Sequence, residues 1–139
     1  MITNLEDYLI LVHGKGVIRM DYSILNSVKI QLGIPKDHTE FDEQLIRHIN
    51  SVFISLYQIG AGPEDGFSIE SKDDEWNEFS ENQMLVNAVS EYMYLKVKTL
   101  FDPSTSSAVG DSIKDQLKEL EFRINVASDL QTQNKLNRQ

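Results

Sequence analysis

Residues 100–125 read LFDPSTSSAVGDSIKDQLKELEFRIN. The apolar run entering this stretch ends at Asp102-Pro103, because proline disfavours helical geometry in the residue before it and lacks the amide that would extend the ladder. The hydroxyl residues that follow, Ser104, Thr105, Ser106 and Ser107, can each cap a new helix, worth about 1 kcal/mol over alanine. From there Val109, Ile113, Leu117, Leu120 and Ile124 recur at the spacing of one helix face, while Phe122 and Val126 fall off that stripe. Glu119 and Arg123 are placed for an exposed pair one turn apart. The pattern predicts a helix to about Ala127, its regular part starting nearer Asp111 because Gly110 is a poor interior residue. So short a break folds the two helices back on each other as a helical hairpin.

Upstream, Asn82 to Leu100 carries Leu85, Ala88, Val89, Tyr92, Leu95 and Thr99 along one side, and Met93, Val97 and Leu100 widen it past half the circumference. A helix apolar over so wide an arc is central in its bundle or faces a partner as well. Another helix is expected from Ser23, its cap, to Leu32; Ile24, Leu25, Val28 and Leu32 form its stripe, and Gly33 then Pro35 stop it. After the turn GIPKDHTEF, with Thr39 or Glu40 leading in, a helix from about Phe41 to Ile59 spaces Leu45, Ile49, Val52, Leu56 and Ile59 helically, with Phe53 beside them. Gly60-Ala61-Gly62-Pro63 ends it.

Residues 64–81, EDGFSIESKDDEWNEFSE, hold eight carboxylates against one lysine. This reads as a long loop, with one extended piece at GFSIE. Its Phe67, Ile69, Trp76 and Phe79 are expected to tuck against the helices, since a solvated loop has little use for them. The fold class that follows is all-α: a small helical bundle of about four helices, with a long acidic loop between the second and third.

The chain has 139 residues, 40% apolar and 25% charged, ordinary for one soluble domain. A net charge of −9 argues against gripping nucleic acid, which needs clustered Lys and Arg, but not against a protein that DNA merely passes. With no cysteine, disulfides, thiolate metal sites and cysteine nucleophiles are excluded. No apolar run approaches the roughly 20 residues that span a bilayer. The run Tyr8 to Val12 follows Glu6 and Asp7, whereas a signal peptide has a basic flank there, so neither secretion nor a membrane anchor is expected.

Three segments follow. Residues 1–19, with the β-prone YLILVHGKGVI, form either an ordered N-terminal extension or a mis-assigned start, with translation beginning at Met20. Residues 20–129 form the helical domain. Residues 130–139 are polar, slightly basic and expected to be a mobile tail.

Candidates for chemistry are few. Of the three histidines, His13, His38 and His48, the last lies on a helix with no second histidine or acid cluster at metal spacing and reads as a surface or boundary residue. Asp73, Asp74, Glu75 and Glu78 lack the ligand ladder and turn glycine of a calcium loop and read as a solvated acidic loop. The serines at 104, 106 and 107 have no histidine partner or nucleophile elbow and read as caps. Gly60, Gly62 and Gly66 lack the lysine-bearing helix start of a phosphate cradle. No catalytic residue, cofactor or metal is expected, and a hydrolase has no support.

One group of segments resembles a family. The order is SVKIQLGIP, then FDEQLIRHINSVFISLYQIG, an acidic loop bearing tryptophan, VSEYMYLKVKTLFDP, and LKELEFRINVA. It is similar to the head–tail connector proteins of tailed phages, also described as head-completion, adaptor or DNA-packaging proteins. The resemblance covers Met20 to about Asp129; YLKVKTLFDP and ELEFRIN are its most specific marks, and residues 1–19 have no counterpart in it.

That resemblance implies a structural protein, not an enzyme. Such subunits form a homo-oligomeric ring on the portal at one capsid vertex, a dodecamer matching portal symmetry. The ring extends the DNA channel, helps retain packaged double-stranded DNA without binding it specifically, and docks the next connector or the tail. The expected location is the virion, with assembly in the bacterial host cytoplasm, from a phage or prophage. A head-to-tail ring shows each neighbour a different face.

Several residues keep two readings. Arg123 is an exposed partner of Glu119 or an interface anchor, arginine being enriched in interfaces. Asp102 and Pro103 are a hairpin corner or a contact site. Tyr57, Tyr92, Met93 and Tyr94 are core or an inter-subunit patch. Asn125 begins the C-terminal segment expected to touch portal or neighbour. Asp73, Asp74, Glu75 and Glu78 are solvated or face the channel. The rival from another class is an acidic helical interaction or regulatory protein of the host cell, such as a DNA mimic.

Overall fold

A computed structural model describes residues 22–138; the expectations for residues 1–19, His13 included, lie outside the described residues. Of the described residues, 68% are helical and none forms a strand. In chain order the helices are α1 (Ile24–Leu32), α2 (Asp42–Gln58), α3 (Trp76–Phe79), α4 (Gln83–Phe101) and α5 (Ser107–Asn137). The all-α bundle expected from periodicity is present; α1, α2 and α4 start within a residue of their expected positions, whereas α5 starts at Ser107 rather than near Asp111 and takes Gly110 into its first turn.

The caps explain the boundaries. Ser23 accepts a hydrogen bond from the Asn26 amide, Asn82 from Met84 and Leu85, and Ser106 from Val109. At the other ends, Gly33 (φ 79°) and Gly60 (φ 87°) adopt the left-handed geometry that glycine tolerates. Their amides return to Ile30 and Tyr57, and the next amides, of Ile34 and Ala61, return to Lys29 and Leu56, so orphan carbonyls are satisfied.

Helix α4 packs against α1, α2 and α5, and α1 also packs against α2. Its wide apolar arc is therefore explained by centrality: Leu85, Val86, Val89, Tyr92, Met93, Leu95 and Val97 are all buried. Helix α2 contributes Leu45, Ile49, Val52, Phe53 and Leu56 to the same core, and α1 contributes Ile24, Leu25 and Val28.

The acidic segment 64–81 departs from a plain loop: one helical turn, α3, lies inside it. The Glu78 carboxylate reaches back to the Glu75 amide at 2.9 Å, the reach of an N-terminal capping pair. The expected tucking of its aromatics occurs. Trp76 and Phe79 are buried, and with Phe53 and Phe67 they form a cluster whose ring pairs lie 4.9 to 6.3 Å apart, within the range of favourable aromatic pairs. Trp76 Nε1 donates to Ser27 Oγ on α1 at 3.0 Å. The backbones of Tyr22–Ile24 and Asp74–Trp76 exchange two hydrogen bonds, Ile24 N to Asp74 O and Trp76 N to Tyr22 O. Asn50 of α2 holds Ile69 from both sides, accepting from its amide at 2.8 Å and donating to its carbonyl at 3.0 Å. A Cβ on Gly62 would stand 2.5 Å from Phe79 Cε2, so glycine lets this turn close over the aromatic cluster.

Two features differ from expectation. The last helix does not stop near Ala127 but continues to Asn137: Leu130–Asn137 contains neither Gly nor Pro to end it, and Thr132 bonds back to Ser128 O at 3.1 Å. Lys29, beside the α1 stripe, is 1% exposed. Its ammonium donates to Lys36 O at 3.0 Å and pairs with Asp42 at 2.8 Å, tying α1 to the start of α2.

Removing one member of a buried pair strands the other. Asp42→Asn is expected to cost about 2 kcal/mol, the low side because the Asp42 side chain is 26% exposed; Lys29→Met in the same chain recovers most of it. Urea unfolding of the single and double variants measures both.

Candidate functional site

The surface with most to explain is the α4–α5 hairpin. At 31 residues, α5 is about 46 Å long, against about 28 Å for the 19 residues of α4, so it overruns its partner. Of its residues only Ile124 and Ser128 are buried, with Leu117, Leu120 and Ala127 partly buried against the core. Beyond Ser128 the body-facing stripe turns polar: Gln131, Thr132 and Lys135 line a cavity with Tyr57 and the Gly60–Glu64 turn.

The residues singled out from sequence fall in different places. Tyr92 lies not on a surface but inside the α4–α5 contact, 1% exposed, with its hydroxyl donating to Glu121 at 2.9 Å. Burial, and then the hydrogen bond to and charge of Glu121, push its ionisation well above the ordinary tyrosine range. Tyr94 is half-buried, with the Lys98 ammonium 5.8 Å from its ring centroid. Asp102 and Pro103 are exposed at the hairpin corner, where the Asp102 amide closes α4 on Lys98 O. Arg123 pairs with Glu119 on the exposed side of α5. Asn125 reaches across to the end of α2, donating to Ile59 O at 2.9 Å.

The four acids of the 64–81 segment separate by role. Asp74 is half-buried and structural: its carboxylate accepts from the Glu70 and Ser71 amides at 2.7 and 3.0 Å. Glu78 secures the start of α3. Asp73 and Glu75 are exposed, and the Glu75 carboxylate forms the other half of the capping pair with the Glu78 amide.

Among the described residues no three His, Asp or Glu side chains are grouped to hold a metal ion, and no helix is long and apolar enough to cross a membrane. Three clefts among the described residues, beside Trp76, Phe67 and Gly62, have no histidine in their linings. What the surface does offer is apolar area: Phe122 is 69% exposed, Leu130 60%, Ile54 62% and Met84 82%. Sequence periodicity flagged Phe122 and Val126 as off the buried stripe, but Ile54 and Met84 carried no such signal.

What the described residues present is a small all-α body with large apolar side chains turned outward. The phage connector protein family model matches residues 24–131, most of the chain, and the chain belongs to that family. The resemblance drawn from YLKVKTLFDP and ELEFRIN is thereby shown, and with it a role as a phage head–tail connector. No curated protein and no solved structure matches the chain.

The folded protein holds the Tyr92 proton more tightly than the unfolded chain does. The stability linked to it is therefore complete below the ordinary tyrosine value of about 10 and falls as pH rises beyond it. In an alkaline titration followed by phenolate absorbance, Tyr92 ionises only as the protein unfolds, and Tyr92→Phe removes that late step. The same substitution costs about 1 kcal/mol for the lost bond to a carboxylate.

Proposed function

We propose that this chain is a non-enzymatic subunit of a ring that sits on the portal of a tailed phage, extends its DNA channel, helps retain packaged DNA and docks the next connector or the tail. The observation that carries the reading is the family match across residues 24–131. Two features support it: apolar side chains exposed on several faces, and a helix α5 that outruns the body it packs on. A dodecamer follows if the ring takes the portal's symmetry. The virion is then its place of work and the bacterial cytoplasm its place of assembly.

In this reading the mechanism is geometric. Stacked rings seal and lengthen a channel, and buried apolar contacts supply the binding energy. The segment from Asn125 to Gln139 is the portal- or neighbour-contacting part, with the corner at Asp102 and Pro103, Tyr94 and Arg123 as further contacts. Tyr92 supports that surface from behind through Glu121. An acidic lumen does not bind a polyanion, so the exposed Asp73 and Glu75 facing the channel would let DNA slide.

Electron microscopy of the full chain mixed with its cognate portal is expected to show an added ring below the portal. A chain that stays monomeric or dimeric at rising concentration and ignores the portal supports the rival reading, an acidic host regulator. Asp73→Lys with Glu75→Gln, which spares the structural Asp74 and Glu78 and keeps a capping oxygen at position 75, is expected to slow DNA ejection or alter retention in assembled particles. Unchanged ejection places these acids on the outside of the ring.

A further inference from the structure

We propose that neighbouring copies of this chain join head to tail through two helix faces, with Asp115 and Phe122 of α5 in one copy meeting Arg47 and Ile54 of α2 in the next. The pairing rests on the ring reading above and names the surfaces that would make it.

The α5 face lies opposite its buried stripe. Phe122, Val126 and Leu130 stand one helical turn apart on it, 69, 41 and 60% exposed, with Asp115 two turns ahead of Phe122. The α2 face likewise lies opposite Leu45, Ile49, Val52 and Leu56 and carries exposed Arg47 and, two turns on, Ile54 at 62%. Neither Arg47 nor Asp115 takes part in an ion pair among the described residues.

The two faces match in spacing, and in sign at Arg47 and Asp115; one turn earlier the same register brings exposed Glu43 toward exposed Asp111. Arg47 to Ile54 and Asp115 to Phe122 are each seven residues, about 10.5 Å along a helix, and each runs from the charge to the apolar side chain in chain direction. A parallel pairing of α2 with a neighbour's α5 therefore sets cation on anion and isoleucine on phenylalanine together. Electrostatic complementarity of this kind fixes register more than it adds affinity.

The placement of the helices suits such a contact. Both α2 and α5 pack on α4, so the sides they turn away from it look in different directions. Two different faces in contact make a heterologous interface, which closes into a ring when the rotation allows. The three α5 side chains offer on the order of 300 Å² of apolar surface, well short of the roughly 800 Å² per partner in a stable pair. A single contact is weak, so a free pair does not persist; closure, with two contacts per copy on a template, is what holds the assembly.

The chain has no cysteine, so paired cysteines test the register directly. With both Ile54→Cys and Phe122→Cys, oxidation on the cognate portal is expected to give a ladder of covalent multimers. Each single variant alone gives none, and a mixture of the two singles gives dimers only. Arg47→Glu is expected to weaken assembly roughly tenfold, and Asp115→Arg in the same chain to restore it; circular dichroism confirms that the variants fold. A portal-bound ring without the ladder, or self-crosslinking of Phe122→Cys alone, overturns the pairing and leaves the ring reading standing. Failure of the unsubstituted chain to form any ring on the portal overturns both.

Discussion

The width of the apolar arc on α4 governs this molecule. Seven large apolar side chains, from Leu85 to Val97, are buried on one helix, and no single neighbour can cover them. Helices α1, α2 and α5 each take a share. Because α4 consumes the inward faces of its neighbours, what those neighbours carry on their other sides stays outside. The exposed Ile54 and Phe122 are a consequence of that division rather than scattered accidents.

The short elements hold this arrangement in register. Apolar contacts are non-directional and set no unique orientation for an 18-residue acidic segment. Directional bonds do: Trp76 to Ser27, Asn50 to both sides of Ile69, and Asp74 to two amides. The acids so dense in this segment thus serve two ends, some as local caps and some as free charge at the surface.

Much of this was readable in the sequence and some was not, for physical reasons. The four long helices followed from stripes such as Leu45, Ile49, Val52 and Leu56, and from local punctuation by Ser23, Gly33 and Pro103, because helical periodicity and caps are short-range. The one-turn α3 escaped notice because four residues cannot show a period, and its position depends on partners 49 residues away in the chain. The burial of Lys29 was invisible for a similar reason: a lysine beside an apolar stripe reads as solvated until Asp42 and Lys36 O are brought to its ammonium. Tyr92 stood in the sequence as either core or contact, and only the approach of Glu121 decides for core. The end of α5 was hard to read because a polar composition resembles a tail, and only the absence of any helix breaker after Ala127 points the other way. Of the candidate contact site, the off-stripe Phe122 was evident from spacing, whereas the outward Ile54 became evident only once the neighbours of α2 were known.

The bond between Trp76 and Ser27 has a further consequence, for the order in which the molecule assembles itself during synthesis. Helix α1 is the first of the five to be made, yet its tryptophan partner and the backbone bonds of Asp74 and Trp76 come dozens of residues later. At nine residues it is too short to persist alone in water. Its full set of partners is therefore complete only once the aromatic turn has been made. The α4–α5 hairpin, made last, joins helices adjacent in sequence and needs no such distant partner to close on itself.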